Sequence, residues 1–227
     1  LLNPNFTPSI FDGNDLGEQT REERIAAWAV ADWLIDKPYF KGLAARDNHP
    51  FNWDHPLLDL LGVRWILVPA RSQAQALLEL LPYRYAPVAF TTGGPVLENR
   101  LALPRAFVVH RTSHAASEDE AAAALAELAS GRTEALRLRA VVEGPDAPLL
   151  DLEAPVVPSR ASIVHEDATS VVVEVHTDEQ GLLVLSDTFY PGWQASRAPL
   201  SGGEDVGVPV FAANLMLRGV HVPAGSW

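Results

Sequence analysis

Residues 160–177 read RASIVHEDATSVVVEVHT, and this stretch decides the class of fold. Ala161, Ile163 and His165 recur at every second position, and so do the valines at 171, 173 and 175. A period of two places alternate side chains on opposite faces of a strand. Further apolar segments, spaced as in antiparallel sheets, follow at 182–187, 193–197, 206–211 and 215–222. The pattern predicts an antiparallel β-sandwich over residues 151–227.

Residues 1–150 mix helical and strand patterns instead. Ser117 and Glu120 have the spacing of a capping box before an alanine- and leucine-rich stretch that ends at Gly131. Helices are also predicted at 20–37, 54–61 and 72–81, and strands at 63–68, 87–90, 96–99, 106–110 and 136–142. The predicted fold class is therefore α+β, with a mixed N-terminal α/β module over 1–150 followed by the sandwich.

Charge and composition exclude several classes of function. The chain carries 17 Lys+Arg against 29 Asp+Glu, a formal charge of -12, and it contains no Cys. Nucleic-acid backbones attract cationic surfaces, so a nucleic-acid partner is excluded. Thiol catalysis and cysteine-ligated metals are excluded as well. The longest stretch without Asp, Glu, Lys or Arg, residues 85–97, is shorter than the roughly 20 residues of a spanning helix.

The densest cluster of polar side chains comprises Asp47, His49, Asp54 and His55. Carboxylates and imidazoles can bind a divalent ion or exchange protons. The alternative, which we favour, is that Asp54 caps the following helix while the other three lie in a solvated loop. No metal is therefore predicted here.

Other patterns of catalytic or metal-binding sites are incomplete. His110 and His114 lie four residues apart, a metal-binding spacing only on a helix, whereas a strand end and a loop are predicted there. No G-x-S-x-G nucleophile turn occurs, and the glycine pairs at 93–94 and 202–203 lack the helix that a phosphate-binding loop requires. The sequence therefore predicts no catalytic residue, cofactor or metal in this segment.

The segment DTFYPGW, which begins at Asp187, is the most distinctive surface candidate. Tyr190 and Trp193 could stack on sugar rings, with the carboxylate accepting hydrogen bonds from sugar hydroxyls. The alternative is a type II turn, with Pro191 at its second position and Gly192 at positive φ, in which the two aromatic rings cover the sandwich core. We favour this structural interpretation, which predicts a mostly buried Trp193.

Three later segments carry a resemblance to a known family. LLVLSDTFYPGW at 182–193, PVFAANLML at 209–217 with its hairpin residue Asn214, and RGVHVPAG at 218–225 together resemble the C-terminal region of the bacterial YfhO-like membrane proteins. The earlier segments PLLDLLGVRWILV and LPRAFVV resemble that family in the same order. The resemblance covers about residues 55–227.

The resemblance implies a role and a location. The family consists of polytopic membrane proteins similar to lipid-linked-sugar glycosyltransferases of the GT-C type, implicated in glycosylating cell-envelope polymers. It implies that this chain is an accessory domain on the extracytoplasmic face of the bacterial plasma membrane. The implied partners are the transmembrane part of the parent chain and a cell-envelope glycopolymer or lipid-linked sugar. No residue matches the family's catalytic carboxylate motif, so no catalytic residue is transferred.

Two other functions remain open. A stand-alone carbohydrate-binding or adhesion β-sandwich would use the same aromatic turn without any attached enzyme. A metal-dependent hydrolase would use the 47–55 cluster and is the weaker hypothesis.

The end of the sequence suggests a missing strand. Residues 215–222 are a predicted strand, and the Pro-Ala-Gly-Ser segment at 223–226 is typical of a hairpin turn. Only Trp227 follows. We therefore expect the sandwich to lack its last strand, with 215–222 left as an exposed sheet edge.

Overall fold

A computed structural model describes residues 53–68, 71–130, 132–152 and 157–227. The helix predicted at 20–37 and the residues Asp47 and His49 lie outside this part of the chain. The described residues are mostly β, and their strands form several antiparallel sheets. None of the described helices combines the length and the apolar character that crossing a membrane requires.

A small three-stranded sheet occupies the N-terminal side of the described chain. Its antiparallel strands β1 (Trp65–Leu67), β2 (Tyr85–Thr91) and β3 (Gly94–Asn99) lie in the order β1-β3-β2. Helix α1 (Leu57–Leu60) precedes it, and helix α2 (Arg71–Leu80) connects β1 to β2. Apolar side chains of α2 and the inner sheet face pack together and form a small separate core.

The main sheet has six strands in the order β4-β9-β13-β12-β6-β5. All of its strand pairs are antiparallel except β5 with β6, which is parallel. Its strands are β4 (Ala106–Val109), β5 (Arg111–Ala115), β6 (Arg139–Glu143), β9 (Gly181–Thr188), β12 (Val210–Ala213) and β13 (Leu217–Val222).

Two helices connect the parallel pair β5 and β6. Helix α3 (Glu118–Ser130) begins with the predicted capping box, because the Glu120 amide donates to Ser117 Oγ at 3.2 Å and the Glu120 carboxylate accepts from the Ala116 amide at 2.8 Å. Helix α4 (Arg132–Leu138) follows. Both helices pack on one face of the main sheet and bury the larger core.

A second three-stranded sheet consists of β7 (Arg160–Glu166), β8 (Val171–Thr177) and β14 (Gly225–Ser226), in the order β14-β8-β7. A separate hairpin joins β10 (Ala195–Arg197) to β11 (Val206–Val208). Between 157 and 227 the described chain forms strands and turns without a helix.

The predicted modules 1–150 and 151–227 share one sheet. Strand β4 pairs with β9 over four residues, and β12 pairs with β6 at Ala213 and Val142. A self-contained α/β module over 1–150 is therefore not confirmed. Long-range pairing of this kind leaves no local sequence signal, which is why composition and turn residues alone suggested a boundary near residue 150.

Two strand predictions are wrong in detail. Residues 136–138 belong to α4 and not to the strand predicted at 136–142, because the helical side chains of the Arg132–Leu138 segment pack against α1 and α3. The strand predicted at 206–211 is two strands, since β11 and β12 pair with different partners on either side of Pro209.

The predicted exposed edge at 215–222 is also wrong. Strand β13 is paired on both sides, with β9 and with β12. The turn at 223–226 leads instead into β14, which pairs with β8 of the other sheet. The physical reason is that the turn carries the chain out of the main sheet.

Candidate functional site

The YPGW turn forms a corner at the end of β9. Gly192 has a φ of 109°, which confirms the predicted positive φ. Tyr190 is 54% exposed, and its ring meets the Trp193 ring edge-to-face with the centroids 5.9 Å apart. Trp193 is partly buried, and its indole Nε1 has no hydrogen-bond partner among the described residues. The backbone geometry is therefore as predicted, whereas the prediction that both rings cover the core is wrong for Tyr190, which extends from the turn into open space.

A cation covers the larger ring of this corner. Strand β13 supplies Arg218, whose guanidinium carbon lies 3.6 Å from the centroid of the Trp193 ring. This is a close cation–π contact. Arg218 Nε also donates to the Thr188 carbonyl at 3.1 Å, which fixes the side chain against β9. One face of Trp193 is thus occupied, and a sugar ring could stack only elsewhere on the corner.

Asp187 joins the aromatic corner to an ion-pair network. Its Oδ1 accepts from Arg105 Nη2 at 2.9 Å, and its Oδ2 lies 3.5 Å from Arg218 Nη1. Arg105 also forms a bidentate pair with Glu166, with distances of 2.7 and 2.8 Å. The four charges cancel, and the network connects β7, β9 and β13 with the residue that precedes β4. We name Asp187, Arg105, Glu166 and Arg218 the charge network.

The charge network favours hydrogen bonding over proton transfer. Hydrogen bonds from Arg105 hold the pKa of Glu166 below its usual value. The pKa of Arg105 is raised in turn by its hydrogen bonds to Glu166 and, secondarily, to Asp187. Burial lowers the pKa of Arg218. A carboxylate that stays ionised accepts hydrogen bonds but cannot act as a general acid near neutral pH. The corner is therefore suited to binding a polar molecule.

A groove opens beside this corner, between the main sheet and the β7–β8 sheet. Its volume is about 620 Å³, within the range of about 300–1,000 Å³ typical of small-molecule sites. Its walls are mostly aliphatic. They include Val171, Val173, Leu183, Leu185 and Val220, with Trp193 and Trp227 also in the lining.

Asn214 serves the fold and not the corner. It has a φ of 48° in the β12–β13 hairpin and is 1% exposed. Its Oδ1 accepts from the Val141 main-chain N–H at 2.9 Å, while the main-chain N–H of Asn214 donates to the Val141 carbonyl at 2.7 Å. The structure therefore places this candidate residue as a link between the hairpin and β6.

The two described residues of the 47–55 cluster have structural partners. Asp54 does not cap α1 as predicted; its Oδ1 accepts from Arg84 Nε at 3.0 Å, because the buried guanidinium requires an anionic partner. His55 Nδ1 instead accepts from the Leu57 amide at 3.2 Å. Burial, and secondarily the charge of Arg84, lower the pKa of His55.

His110 and His114 make separate hydrogen bonds. His110 is buried, and its ring nitrogens lie 2.8 Å from the Gln180 carbonyl and 2.9 Å from Ser159 Oγ. His114 Nε2 lies 2.6 Å from the Gly144 carbonyl. In the described ranges, no group of three or more His, Asp or Glu side chains is placed to hold a metal ion.

The two arginines of the charge network were not identified as site residues from the sequence. Arg105 precedes one predicted strand and Arg218 lies within another, and nothing local distinguishes them from other surface arginines. Their proximity to Asp187 depends on β9 lying between β4 and β13. Comparisons with known proteins add no constraint, since no protein-family model, curated protein or solved structure matches this chain significantly.

Proposed function

We propose that this chain is a non-catalytic, carbohydrate-contacting accessory domain of a membrane protein that resembles lipid-linked-sugar glycosyltransferases. It would lie on the extracytoplasmic face of the bacterial plasma membrane, joined to the transmembrane part of its parent chain. Its ligand would be a cell-envelope glycopolymer or the sugar of a lipid-linked donor. The proposed architecture is an open β-sandwich, with the groove between its sheets.

The observation that carries this proposal is the pairing of an exposed aromatic ring with a fixed charge network. Tyr190 is more than half exposed, and it stands on a turn beside Asp187. Amphipathic aromatic rings supply contact area at low entropic cost, and ionised groups supply hydrogen bonds to hydroxyls. The segments that carry the resemblance are β9, the YPGW turn, β12 and β13, and these elements build the corner and one wall of the groove.

The test is a titration of the purified chain with oligomers of a wall teichoic acid and with neutral cell-wall glycans. We expect Tyr190→Ala to weaken binding roughly tenfold, which corresponds to about 1.4 kcal/mol and to the upper range for one aromatic contact. Phe90→Ala is the matched control, because Phe90 is an exposed aromatic residue, 74% accessible, on the separate small sheet. Equal affinities of the two variants would rule out the corner as the contact.

The stand-alone binding module is the second candidate, and the exposed Tyr190 ring supports it equally well. The two functions differ in cells that carry Tyr190→Ala in the full-length protein. An accessory domain of a glycosyltransferase predicts fewer sugar substituents on the envelope polymer. A stand-alone binder predicts unchanged substitution and reduced attachment to the polymer.

A further inference from the structure

The edge of β8 next to β14 is only partly paired. Gly225 and Ser226 pair with Thr177 and His176, and Trp227 exchanges two main-chain hydrogen bonds of 2.8 Å with Val175. Among the residues that the structure describes, pairing on this edge stops at Val175. Residues 171–174 of β8 pair with β7 on the other side only, within the described part of the chain.

The main-chain groups left unpaired on this edge can be identified because the N–H and C=O groups of successive residues point to opposite edges of a strand. The N–H and C=O of Val175 point toward β14, so those of Val173 and Val171 point to the same edge. No hydrogen bond of these two valines to a group on that edge occurs among the described residues. Unpaired main-chain groups beside an apolar wall are costly unless water or another chain satisfies them.

The side chains around this edge determine which residues a strand added beside β8 could carry. Val171 and Val173 face the groove and are only partly buried, as are Leu183 and Val220 on the opposite wall. Glu174 has the opposite orientation, since it alternates with them along β8. An added strand would therefore place aliphatic side chains opposite Val173 and Val171.

We propose that this edge accepts one extended peptide strand, antiparallel to β8 and in line with β14, whose alternate aliphatic side chains fill the groove. Main-chain hydrogen bonds to Val171 and Val173 would hold it, as in β-strand addition. A cation opposite Glu174 would complement its carboxylate across the strands. The peptide would be held by main-chain groups of β8 and the carbohydrate by the Tyr190 ring, so the two proposals depend on different residues and can fail independently.

The test appends two five-residue tails of equal composition after Trp227 in the full chain. The matched tail, Lys-Val-Thr-Ile-Ser, places Lys opposite Glu174 and its Val and Ile opposite Val173 and Val171. The shifted tail, Val-Lys-Ile-Thr-Ser, turns the polar residues into the groove, since a slip of one residue reverses every side chain. Amide hydrogen exchange is measured by NMR.

We expect the matched tail to slow exchange of the Val171 and Val173 amides at least tenfold and to raise the Tm above that of the shifted tail. Val173→Pro removes one main-chain N–H donor from the open edge, so we expect it to abolish the slowing of exchange at Val171. The variant should fold, because proline is tolerated at strand edges. Equal exchange with the two tails, whether fast or slow, would overturn the proposal. That comparison stands even if the proline variant does not fold.

Discussion

Replacing Asp59 with alanine should destabilise the protein far more than removing a surface carboxylate. Asp59 lies on α1 and is fully buried. Its Oδ1 accepts from Arg84 Nη1 at 2.5 Å and from Asn99 Nδ2 at 2.6 Å, and its Oδ2 accepts from Thr133 Oγ1. These partners come from the loop before β2, from the end of β3 and from α4. One carboxylate therefore ties the small sheet to the helical face of the main sheet.

The magnitude follows from what the substitution leaves behind. Arg84 is 2% exposed, so the loss of Asp59 would leave its guanidinium with the ion pair to Asp54 as its anionic contact among the described residues. Breaking a buried ion pair by removing one partner costs about 3–5 kcal/mol, largely because the other charge stays desolvated. Asp59→Asn keeps a hydrogen-bond acceptor of the same shape, and we expect it to cost less.

The measurement is urea unfolding followed by tryptophan fluorescence, with Glu98→Ala as the matched control. Glu98 pairs with Arg64 at 3.0 Å, but that arginine is mostly exposed, and exposed ion pairs contribute about 0–1 kcal/mol. We expect Asp59→Ala to lower the free energy of unfolding by at least 2 kcal/mol more than the control, given these ranges. Equal losses for the two variants would refute the argument that burial sets the cost.

Two further substitutions test the turn and the pH response. Gly192→Val should cost roughly 1–3 kcal/mol from backbone strain alone, because open space surrounds the added Cβ; Gly207→Val, with equal space and no positive φ, is the control in a thermal melt. His55→Asn keeps an acceptor for the Leu57 amide. The pKa of His55 is lower in the folded protein than the unfolded value of about 6.5, so the contribution of His55 to stability is complete above that value and decreases as the pH falls toward the folded pKa. The variant should therefore lose less stability than the unsubstituted protein below pH 6.5. An unchanged dependence of stability on pH would contradict this.

Local sequence signals predicted local structure well. The capping box at Ser117 and the positive φ of Gly192 were both predicted, because each depends on residues within one turn. Period-two alternation likewise found β7 and β8. Partners distant in sequence were not readable. Asp59 and Arg84 are 25 residues apart, and nothing local marks either as buried; their contact forms only when α1 meets the loop before β2.

The same limit explains why the prediction of an exposed edge at 215–222 is wrong. The turn at 223–226 was identified from its residues, but the sheet that it enters depends on how the two sheets meet. They join at the Thr177–Gly181 connection, where Ser159 Oγ lies 2.8 Å from Thr177 Oγ1 and a Cβ on Gly181 would lie 2.4 Å from a methyl carbon of β4.

Near that joined end Val175 and Val222 are buried, at 1% and 3% exposure. Farther along the same strands, Val173 and Val220 remain partly open. The exposure of these two apolar faces therefore increases away from the connection, and the less buried side chains line the groove. Close-packed interiors do not retain unfilled space without a cost. The same lining includes Trp193 of the aromatic corner and Val171 and Val173 of the β8 edge, so both features border the part of the interior that the two sheets leave open.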